Sequence, residues 1–441
     1  MKTLLRRYTI HMKIAIVGYG AEGKASYSYW RDLGHEVTIV DEKEISPYDL
    51  PYGSDMLLGK NAFKYLAGYD LVVRSPGINP SKLKTDSKIW SATNEFFAKC
   101  PAPIIGVTGT KGKGTTASLI AAILTAAGKT VHLVGNIGTP ALSVLPKIQP
   151  DDLAVFELSS FQLWDLEKSP HIAVALMIEA DHLDVHKDMK DYVGAKSNIR
   201  RYQTDNDICI YHPTNELSAQ VAAASTEGEA KRYAVVDDGA VYVKENTFFV
   251  QNQALCSNDA VQLPGAHNLE NACAAITAAL PFLDNAYDAI EKGLRSFTGL
   301  PHRLKLVGEK SGVRYYDDSI ATTPGSAIAA ISAFDEPKLL ILGGSDKGAD
   351  YTELIEACKS TDTHVLVIGA LAGKLRKLCQ KHHVAVTDLA GKTMQSIVRS
   401  ATELAAPGSV VILSPAAASF DMFKNYADRG DQFVEAVKGL V

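Results

Sequence analysis

The chain has 441 residues, which at roughly 150 residues per domain predicts about three domains rather than one. Its composition, 46% hydrophobic and 22% charged, is typical of folded globular proteins and excludes a disordered or fibrous chain. The formal net charge of −5, from 45 Lys and Arg against 50 Asp and Glu, excludes a general nucleic-acid binder that depends on a strongly basic surface.

Cysteine usage and hydropathy together indicate the compartment. No CxxC pair occurs, so neither a disulfide framework nor a zinc cluster is expected, and a reducing compartment is favoured. No apolar run is long enough for the core of a signal peptide or for a membrane span. We therefore expect a cytoplasmic protein without membrane contact, with an unstructured extension ahead of Met12. The six cysteines are Cys100, Cys209, Cys256, Cys273, Cys358 and Cys379.

Short β-type runs alternate with helix-like stretches almost throughout, which is typical of α/β domains with parallel sheets. The alternation restarts three times. It predicts a Rossmann-like N-terminal domain of half size (1–100), a central P-loop mononucleotide-binding ATPase domain with a parallel sheet (101–299) and a C-terminal Rossmann-like α/β domain (300–441). The predicted strands are 13–17, 37–40, 71–74, 104–107, 153–156, 172–177, 313–316, 338–342, 364–368 and 409–413, and the clearest helices are 21–33, 115–127 and 433–439.

The first motif is Gly18-Tyr19-Gly20-Ala21-Glu22-Gly23, which follows the first strand, and Asp41 closes the next strand. This pattern is the fingerprint of dinucleotide binding. The first domain, however, has room for little more than one of the two mononucleotide halves that a dinucleotide needs. A nucleotide-linked substrate, with Asp41 near its sugar or base, is therefore favoured over NAD, and a purely structural turn is the remaining alternative.

The strongest motif is Gly109-Thr110-Lys111-Gly112-Lys113-Gly114-Thr115-Thr116, which follows a strand and opens a helix. Glycines allow successive backbone N–H groups to face phosphate oxygens, and Lys113 is placed to reach the β- and γ-phosphates of a nucleotide. Gly114 stands where a P-loop normally has the Ser or Thr that binds Mg²⁺. We therefore expect the hydroxyl ligand to come from Thr115.

Polar side chains follow the next strands. Glu157-Leu158-Ser159-Ser160-Phe161-Gln162 comes first, then Asp181-His182-Leu183-Asp184 and Lys196. A carboxylate and an imidazole at strand ends facing a phosphate loop suit Mg²⁺, which neutralises charge on a transferring phosphoryl group. His186 is interpreted as structural, because a second histidine at that spacing is weak evidence for a metal.

Two further groups of polar residues complete the pattern. Asn268 and Asn271 lie three residues apart at the start of an Ala-rich helix, where they either read an adenine or a phosphate or simply cap the helix. In the last domain, polar segments again follow strands, the place where open α/β sheets bind ligands. These segments are Asp317-Asp318-Ser319, Gly343-Gly344-Ser345-Asp346-Lys347 and Ser414-Pro415-Ala416.

With these motifs in this order, the chain resembles the Mur ligases of peptidoglycan synthesis over nearly its whole length. Gly299-Leu300-Pro301-His302-Arg303 and the Glu157 block look particularly like the members that add D-glutamate. The resemblance implies an ATP-dependent amide ligase. In that reaction the L-alanine carboxylate of UDP-N-acetylmuramoyl-L-alanine attacks the γ-phosphate of ATP, and the amine of D-glutamate displaces the resulting acyl phosphate, which releases ADP and phosphate.

The resemblance also implies roles for individual residues. Lys113, His182 and Lys196 are the catalytic candidates, and Thr115, Glu157, His182 and a CO₂-derived carbamate on Lys196 are candidate ligands of two Mg²⁺ ions. ATP contacts are expected from the P-loop together with Asn268, Asn271, Arg303 and Asp317. Contacts to the UDP-sugar are expected from Gly20, Asp41, Ser75, Gly77, Asn136, Ser159 and Gln162, and the glutamate pocket from Thr322, Lys347, Ser414 and Phe423. Only these small molecules are expected as partners, and the protein is expected to be a monomer.

Two departures from the family pattern leave more than one function open. Ile320 stands where the family commonly has Lys, so Lys305 or Lys347 is expected to compensate for the missing cation. The P-loop has the form seen in folylpolyglutamate synthases, but those enzymes begin almost directly with the P-loop domain, and the hundred residues before Pro101 favour a Mur ligase. A Mur ligase of different specificity, a nucleotide-dependent switch and an NAD oxidoreductase are also compatible with parts of the sequence.

Overall fold

The computed structural model describes residues 11–136, 138–236, 239–263, 265–346 and 348–440. Contacts between α-carbons divide the chain into two compact units, Met1–Val261 with Ala266–Phe297, and Gln262–Gly265 with Thr298–Val441. The finer division into domains 1–100, 101–299 and 300–441 stays a prediction. Residues 1–10 of the predicted N-terminal extension, and Lys347, lie outside the described residues.

The first sheet is larger than the half-size Rossmann unit that the sequence predicts. Its elements are β1 (Lys13–Val17), α1 (Ala21–Asp32), β2 (Glu36–Asp41), β3 (Asp55–Leu58), β4 (Leu71–Arg74), β5 (Lys88–Ser91) and α2 (Ala92–Lys99). The five strands are parallel in the order β3-β2-β1-β4-β5, which is the Rossmann order without its sixth strand. The predicted size is therefore wrong, because β3 and β5 have only four residues and lack a clear apolar period.

The second sheet positions the P-loop. Its region contains β6 (Ile104–Thr108), α3 (Lys113–Ala126), β7 (Val131–Gly135), α4 (Ala141–Val144), β8 (Leu153–Glu157), α5 (Ser160–Leu163), β9 (Ile172–Ala175), α6 (Met189–Arg201), β10 (Ile208–Tyr211), α7 (Glu216–Ala222) and β11 (Glu229–Arg232). The six strands are parallel in the order β11-β10-β9-β6-β8-β7. Because β6 lies between β8 and β9, the loops that follow these three strands meet at one edge of the sheet.

The rest of the first unit covers this sheet. It contains β12 (Tyr242–Lys244), β13 (Thr247–Val250), β14 (Gln253–Ser257), α8 (Ala266–Ala279) and α9 (Asp288–Ser296), and β12, β13 and β14 form a small antiparallel sheet. Ile105 and Val107 of β6 pack with α3 and α8 on one face, and Ile104 packs on the other. A strand buried on both faces is a continuous apolar run, which explains why β6 was predictable.

The second unit has its own sheet. It contains β15 (Lys305–Lys310), β16 (Val313–Asp317), α10 (Pro324–Ser332), β17 (Lys338–Gly343), α11 (Thr352–Ser360), β18 (Thr363–Ile368), α12 (Ala372–His382), β19 (Val386–Asp388), α13 (Met394–Leu404), β20 (Val410–Leu413) and α14 (Tyr426–Lys438). The order is β15-β16-β20-β17-β18-β19, with only β15 antiparallel. The predicted α/β fold is confirmed. Among the described residues, no helix has the length and apolar character needed to cross a membrane.

Candidate active site

The P-loop connects β6 to α3, and two of its glycines are required by backbone geometry. Gly109 and Gly112 have φ values of 153° and 82°, which L side chains rarely adopt. A Cβ on Gly109 would lie 2.8 Å from the Cβ of Leu176, and one on Gly112 would lie 2.5 Å from Oδ1 of Asn271. The loop therefore packs directly against α8 and the segment after β9, and only glycine fits at these two positions.

Two lysine side chains meet at the P-loop. Nζ of Lys113 donates hydrogen bonds to the carbonyl oxygens of Gly109 (3.1 Å) and Thr110 (2.9 Å). Nζ of Lys196, on α6, donates to the same carbonyl of Gly109 at 2.8 Å and is 3.4 Å from Oγ1 of Thr108. Burial, with a smaller contribution from the nearby Lys113, lowers the pKa of Lys196 well below its ordinary value. Burial beside the P-loop thus makes the ammonium form of Lys196 less favourable than in water.

Glu157 and Thr115 are the oxygen donors at the same edge of the sheet. Glu157 ends β8 and is buried, and its Oε1 accepts a hydrogen bond from Nδ2 of Asn136 at 3.4 Å. Thr115 lies in the first turn of α3 and is also buried. In the part of the chain that the structure describes, no three His, Cys, Asp or Glu side chains converge on a metal position. Mg²⁺ commonly takes one or two carboxylates together with phosphate oxygens, so Glu157 and Thr115 fit a magnesium ion that binds with the nucleotide.

The two histidines after β9 differ in accessibility. His182 lies in an exposed loop with a φ of 52°, and its ring centroid is 4.9 Å from that of Phe161. His186 is buried, with Nδ1 2.9 Å from Asp191 Oδ2 and Nε2 2.9 Å from Ser160 Oγ. Both ring nitrogens of His186 are thus occupied, in agreement with the structural interpretation. His182 remains accessible to a metal.

The amides predicted to contact ATP lie beside the P-loop. Asn268 and Asn271 are both buried near the start of α8, and Nδ2 of Asn271 donates to Oδ1 of Asn268 at 3.2 Å. Asn271 is the side chain that approaches Gly112. The structure therefore brings these amides to the P-loop, and their contact with ATP stays a prediction.

The Gly18 loop is held in place by its neighbours in the first sheet. Gly18 has a φ of 87°, and Oγ of Ser75 donates to its carbonyl oxygen at 2.6 Å. Asp41 accepts hydrogen bonds from the backbone N–H groups of Tyr19 (2.8 Å) and Lys43 (2.9 Å). Asp41 and Ser75 therefore shape the loop that leads to Gly20, the N-cap of α1. Gly77 is exposed in the turn after β4. Contacts between these residues and a nucleotide stay predictions.

Ser159 and Gln162 form a capping box at the start of α5. Oε1 of Gln162 accepts hydrogen bonds from the backbone N–H (2.9 Å) and the hydroxyl (3.0 Å) of Ser159. Nε2 of Gln162 donates to Oε1 of Glu22 at 2.7 Å. Gln162 is 2% exposed. Its amide is therefore committed to protein partners, whereas the sequence interpretation gives it a direct contact with the substrate.

The second unit places Asp317 in a hydrogen bond with a histidine. Oδ2 of Asp317 lies 2.7 Å from Nδ1 of His302, and Oδ1 accepts from the N–H of Ser319 at 3.0 Å. A cavity of about 340 Å³ lies beside this pair, and Lys305 also contributes to its wall. Arg303 is exposed. Lys305 thus shares a cavity with Asp317. Its compensation for the missing cation at Ile320, and the contacts of Asp317 and Arg303 with ATP, stay predictions.

The residues predicted for the glutamate pocket are placed unequally. Thr322 is exposed after β16. Ser414 is fully buried and its Oγ donates to Oδ2 of Asp318 at 2.7 Å, and Phe423 packs in a core cluster with Phe433. Ser414 and Phe423 are therefore part of the packed interior beneath the loops, and a contact of either with glutamate stays a prediction.

Comparison with known proteins identifies the family. The Mur ligase middle domain matches residues 107–279, and the glutamate ligase domain of Mur ligases matches 302–417. UDP-N-acetylmuramoylalanine--D-glutamate ligase of Clostridium kluyveri is 34% identical over 97% of both chains. The protein of that name from Acetivibrio thermocellus is 35% identical over 97% of this chain and 96% of its own. The chain belongs to the Mur ligase family.

Solved structures agree with this Mur ligase fold. UDP-N-acetylmuramate-alanine ligase MurC of Thermotoga maritima superposes with a TM-score of 0.61 at 17% identity, covering 97% of this chain and 99% of its own. Folylpolyglutamate synthase of Mycobacterium tuberculosis, solved with ADP, has a TM-score of 0.56 at 16% identity. That match covers 94% of the synthase and 79% of this chain. At these identities the likeness concerns the fold alone.

Sequence reasoning misses three charged residues of this Mur ligase chain. In the sequence, Glu22 is only a part of the glycine motif, and Arg74 is only the end of a strand. Arg429 is fully buried on α14, and its guanidinium donates to Ser319 and to the carbonyl oxygen of Ala417. Each bonds a residue distant in the chain, and no local sequence signal indicates such contacts.

Proposed function

We propose that this chain is the ATP-dependent ligase that joins D-glutamate to UDP-N-acetylmuramoyl-L-alanine in peptidoglycan synthesis. The observation that carries the proposal is the position of β6 between β8 and β9. This order brings Lys113, Glu157 and the loop to His182 to one edge of a sheet. The names of the full-length relatives supply the substrates. A binding module or switch has no need for this set of groups together with an amino-acid-binding domain.

Lys113 provides the electrostatic part of phosphoryl transfer. Its ammonium bonds the carbonyls of Gly109 and Thr110, which hold it over the P-loop. ATP offers phosphate oxygens that carry full negative charge and are stronger acceptors than carbonyls. Lys113 therefore moves to the β- and γ-phosphates, where it stabilises the charge that develops as the substrate carboxylate attacks.

Two Mg²⁺ ions are proposed to bind at Thr115, Glu157, His182 and Lys196. When bound, they screen the negative charges of the nucleotide and of the attacking carboxylate. Glu157 is already oriented by Asn136, and His182 is exposed on the neighbouring loop. These residues would therefore hold the metal ions, which would supply the charge screening that phosphoryl transfer needs.

Lys196 is proposed to reach its metal as a carbamate. An ammonium repels Mg²⁺, whereas a neutral amine adds CO₂: the N–C bond forms, one proton leaves the nitrogen, and an anionic oxygen ligand results. The lowered pKa of Lys196, caused mainly by its burial, favours the neutral amine that this step requires. Mass spectrometry of the native protein in bicarbonate should find one added CO₂, absent in Lys196→Arg. An unmodified lysine with Mg²⁺ bound contradicts this proposal.

The remaining assignments concern the substrates and the setting. The nucleotide half of the UDP-sugar is proposed to bind at Gly20, Asp41, Ser75 and Gly77, and Asn136, Ser159 and Gln162 lie toward its sugar and diphosphate. Glutamate is proposed to bind near Thr322, Lys347, Ser414 and Phe423, where the cation of Lys347 suits a carboxylate. We further propose a cytoplasmic protein that needs neither membrane nor nucleic acid and is a monomer. Size-exclusion chromatography of the active protein tests the monomeric state.

The deciding experiment measures phosphate release from ATP with Mg²⁺ and UDP-N-acetylmuramoyl-L-alanine, with D-glutamate, L-glutamate or no amino acid in parallel. Release only with D-glutamate, and a product heavier by one glutamyl residue, is expected. Release only with L-glutamate overturns the assigned stereochemistry and keeps the ligase. If no phosphate is released with any amino acid, the proposal is overturned. The same assay with a folate substrate then tests for a folylpolyglutamate synthase.

A further inference from the structure

The Gly18 loop and the segment after β8 are joined by a short hydrogen bond. Glu22 lies in the first turn of α1, two residues after Gly20, and its Oε1 accepts from Nε2 of Gln162 at 2.7 Å. The two residues are 140 positions apart in the chain. Gln162 in turn lies five residues after Glu157, at the edge of the sheet that carries the P-loop. One hydrogen bond therefore connects the proposed UDP loop to the proposed metal edge.

The direction of the Gln162 amide is fixed from the other side. Its oxygen accepts two hydrogen bonds from Ser159, so its nitrogen must face away from Ser159 and toward Glu22. A carboxylate is the natural partner for that nitrogen because it only accepts. The Gln162 amide thus bonds Ser159 through its oxygen and Glu22 through its nitrogen.

A second contact holds the other end of the same segment. Arg74 is fully buried, and its Nε and Nη2 donate to the two carboxylate oxygens of Asp165 at 2.6 and 2.5 Å. Nη2 also donates to the carbonyl of Phe161 at 2.9 Å. Arg74 immediately precedes Ser75, whose hydroxyl holds Gly18. The segment after β8 is therefore attached to α1 through Gln162 and to the end of β4 through Phe161 and Asp165.

Burial outweighs the favourable contacts around Glu22, so the pKa of its carboxyl is raised overall. Burial raises the pKa of Glu22, whereas the hydrogen bond from Gln162 and the charge of Arg74 lower it. The first turn of a helix also favours an anion. These contacts offset part of the cost of burying a carboxylate at this position.

We propose that Glu22 is a positioning residue of the ligase: through Gln162 it fixes the distance between the bound UDP-sugar and the phosphate edge of the second sheet. The inference rests on the proposed function, because it concerns how the reacting carboxylate is brought to ATP. Glu22 acts on the UDP-sugar side, whereas ATP is held by the P-loop. Loss of the bridge is therefore expected to weaken the use of the UDP-sugar and to leave ATP binding unchanged.

The test exchanges the two side chains. Gln162→Glu places two carboxylates in contact and is expected to raise KM for the UDP-sugar about 10-fold or more, and Glu22→Ala acts in the same direction. In the double variant E22Q/Q162E, Gln at 22 donates to Glu at 162, whose other oxygen still accepts from Ser159. KM is then expected to return to within about 3-fold of wild type. KM for ATP stays constant throughout, and Glu36→Gln, a surface carboxylate of the same sheet, serves as the control.

Equilibrium binding of UDP and of ADP to the same proteins separates this inference from the proposed function. UDP affinity should fall in the single variants and recover in the exchange, with ADP affinity unchanged. A wild-type protein that binds UDP and forms no product overturns the proposed function alone. The role of Glu22 is overturned if the double variant has a KM for the UDP-sugar no lower than that of Gln162→Glu. It is also overturned if Glu22→Ala has the wild-type KM, or if ADP affinity falls together with UDP affinity.

Discussion

The ammonium of Lys111 lies 2.7 Å from Oε1 of Glu179, and this ion pair joins the P-loop to the segment that leads to His182. The side chains are 77% and 40% exposed, so the pair itself contributes at most about 1 kcal/mol. Thr110 reinforces the same junction, because its hydroxyl donates to the carbonyl of Glu179 and accepts from its N–H. A weakly held cation thus lies on the loop where the phosphates of ATP are proposed to bind.

Replacement of Lys111 is expected to weaken ATP binding. Lys111→Ala removes one positive charge near the phosphates, worth about 1 kcal/mol, and should raise KM for ATP about 5-fold with kcat little changed. Steady-state kinetics at several ATP concentrations measures the effect. Lys129→Ala, which breaks a surface pair with Asp284 in the same unit, is the matched control. Equal effects of the two variants would refute a specific role for Lys111.

Replacement of Lys113 is expected to abolish turnover with the fold retained. Its ammonium bonds loop carbonyls that ATP displaces, so Lys113→Ala should lower kcat about 1000-fold. Phosphate release measures the rate, and circular dichroism with a thermal scan measures the fold. A variant with normal kcat contradicts the site assignment, and an unfolded variant contradicts the separation of catalysis from stability.

Gly293 is expected to be essential for packing of α9 on the P-loop helix. A Cβ there would lie 2.5 Å from Cα and 2.7 Å from N of Ile123, so even alanine must push α9 away from α3. Gly293→Ala should lower stability by about 1–3 kcal/mol. Gly194→Ala, on α6 with no atom within 4 Å of the added methyl, should be neutral or slightly stabilising. Thermal midpoints compare the two, and equal midpoints would disprove the close approach.

Asp318 is expected to make the second unit less stable as pH rises. Burial raises the pKa of Asp318 from 3.8 to about 7, although hydrogen bonds from Ser414 and from the N–H of Leu304 favour the carboxylate. The folded state therefore binds the proton more tightly than the unfolded state. Its stabilising contribution is fully present below the unfolded pKa and is lost as pH rises through about 7.

Asp318→Asn tests this linkage, because asparagine keeps an acceptor for Leu304 and cannot titrate. As pH rises from mildly acidic to mildly alkaline, the thermal midpoint of the wild-type protein should decrease relative to that of the variant. At alkaline pH the variant should be the more stable protein. Parallel pH profiles for the two proteins would rule out Asp318 as the cause.

The P-loop and the longer strands were predictable because local sequence determines them. β6 is an apolar run buried on both faces, and the glycines at 109 and 112 are required by the backbone of the loop itself. The sequence could also predict that Glu157 and the loop to His182 face the P-loop, since parallel strands end at one edge. The edge strands β3 and β5 were missed because four residues carry too little pattern.

The contacts that fasten the first sheet to the second could not be predicted. Glu22 and Gln162 are separated by 140 residues, and Arg74 and Asp165 by 91, so their meeting depends on how two sheets pack rather than on either local sequence. The same reason applies to Ser414. Its position after a strand suggested a ligand contact, whereas the packing of Asp318 above it determines where its hydroxyl points.

The carbonyl oxygen of Gly109 accepts hydrogen bonds from Nζ of both Lys113 and Lys196. The ammonium of Lys113 beside the loop N–H groups attracts any small tetrahedral anion, and inorganic phosphate is both such an anion and a product of each cycle. Product inhibition by phosphate, competitive with ATP, follows from this arrangement. Throughput in the cell then depends on how quickly phosphate is withdrawn, and assays buffered with phosphate or sulfate underestimate the rate of the ligase.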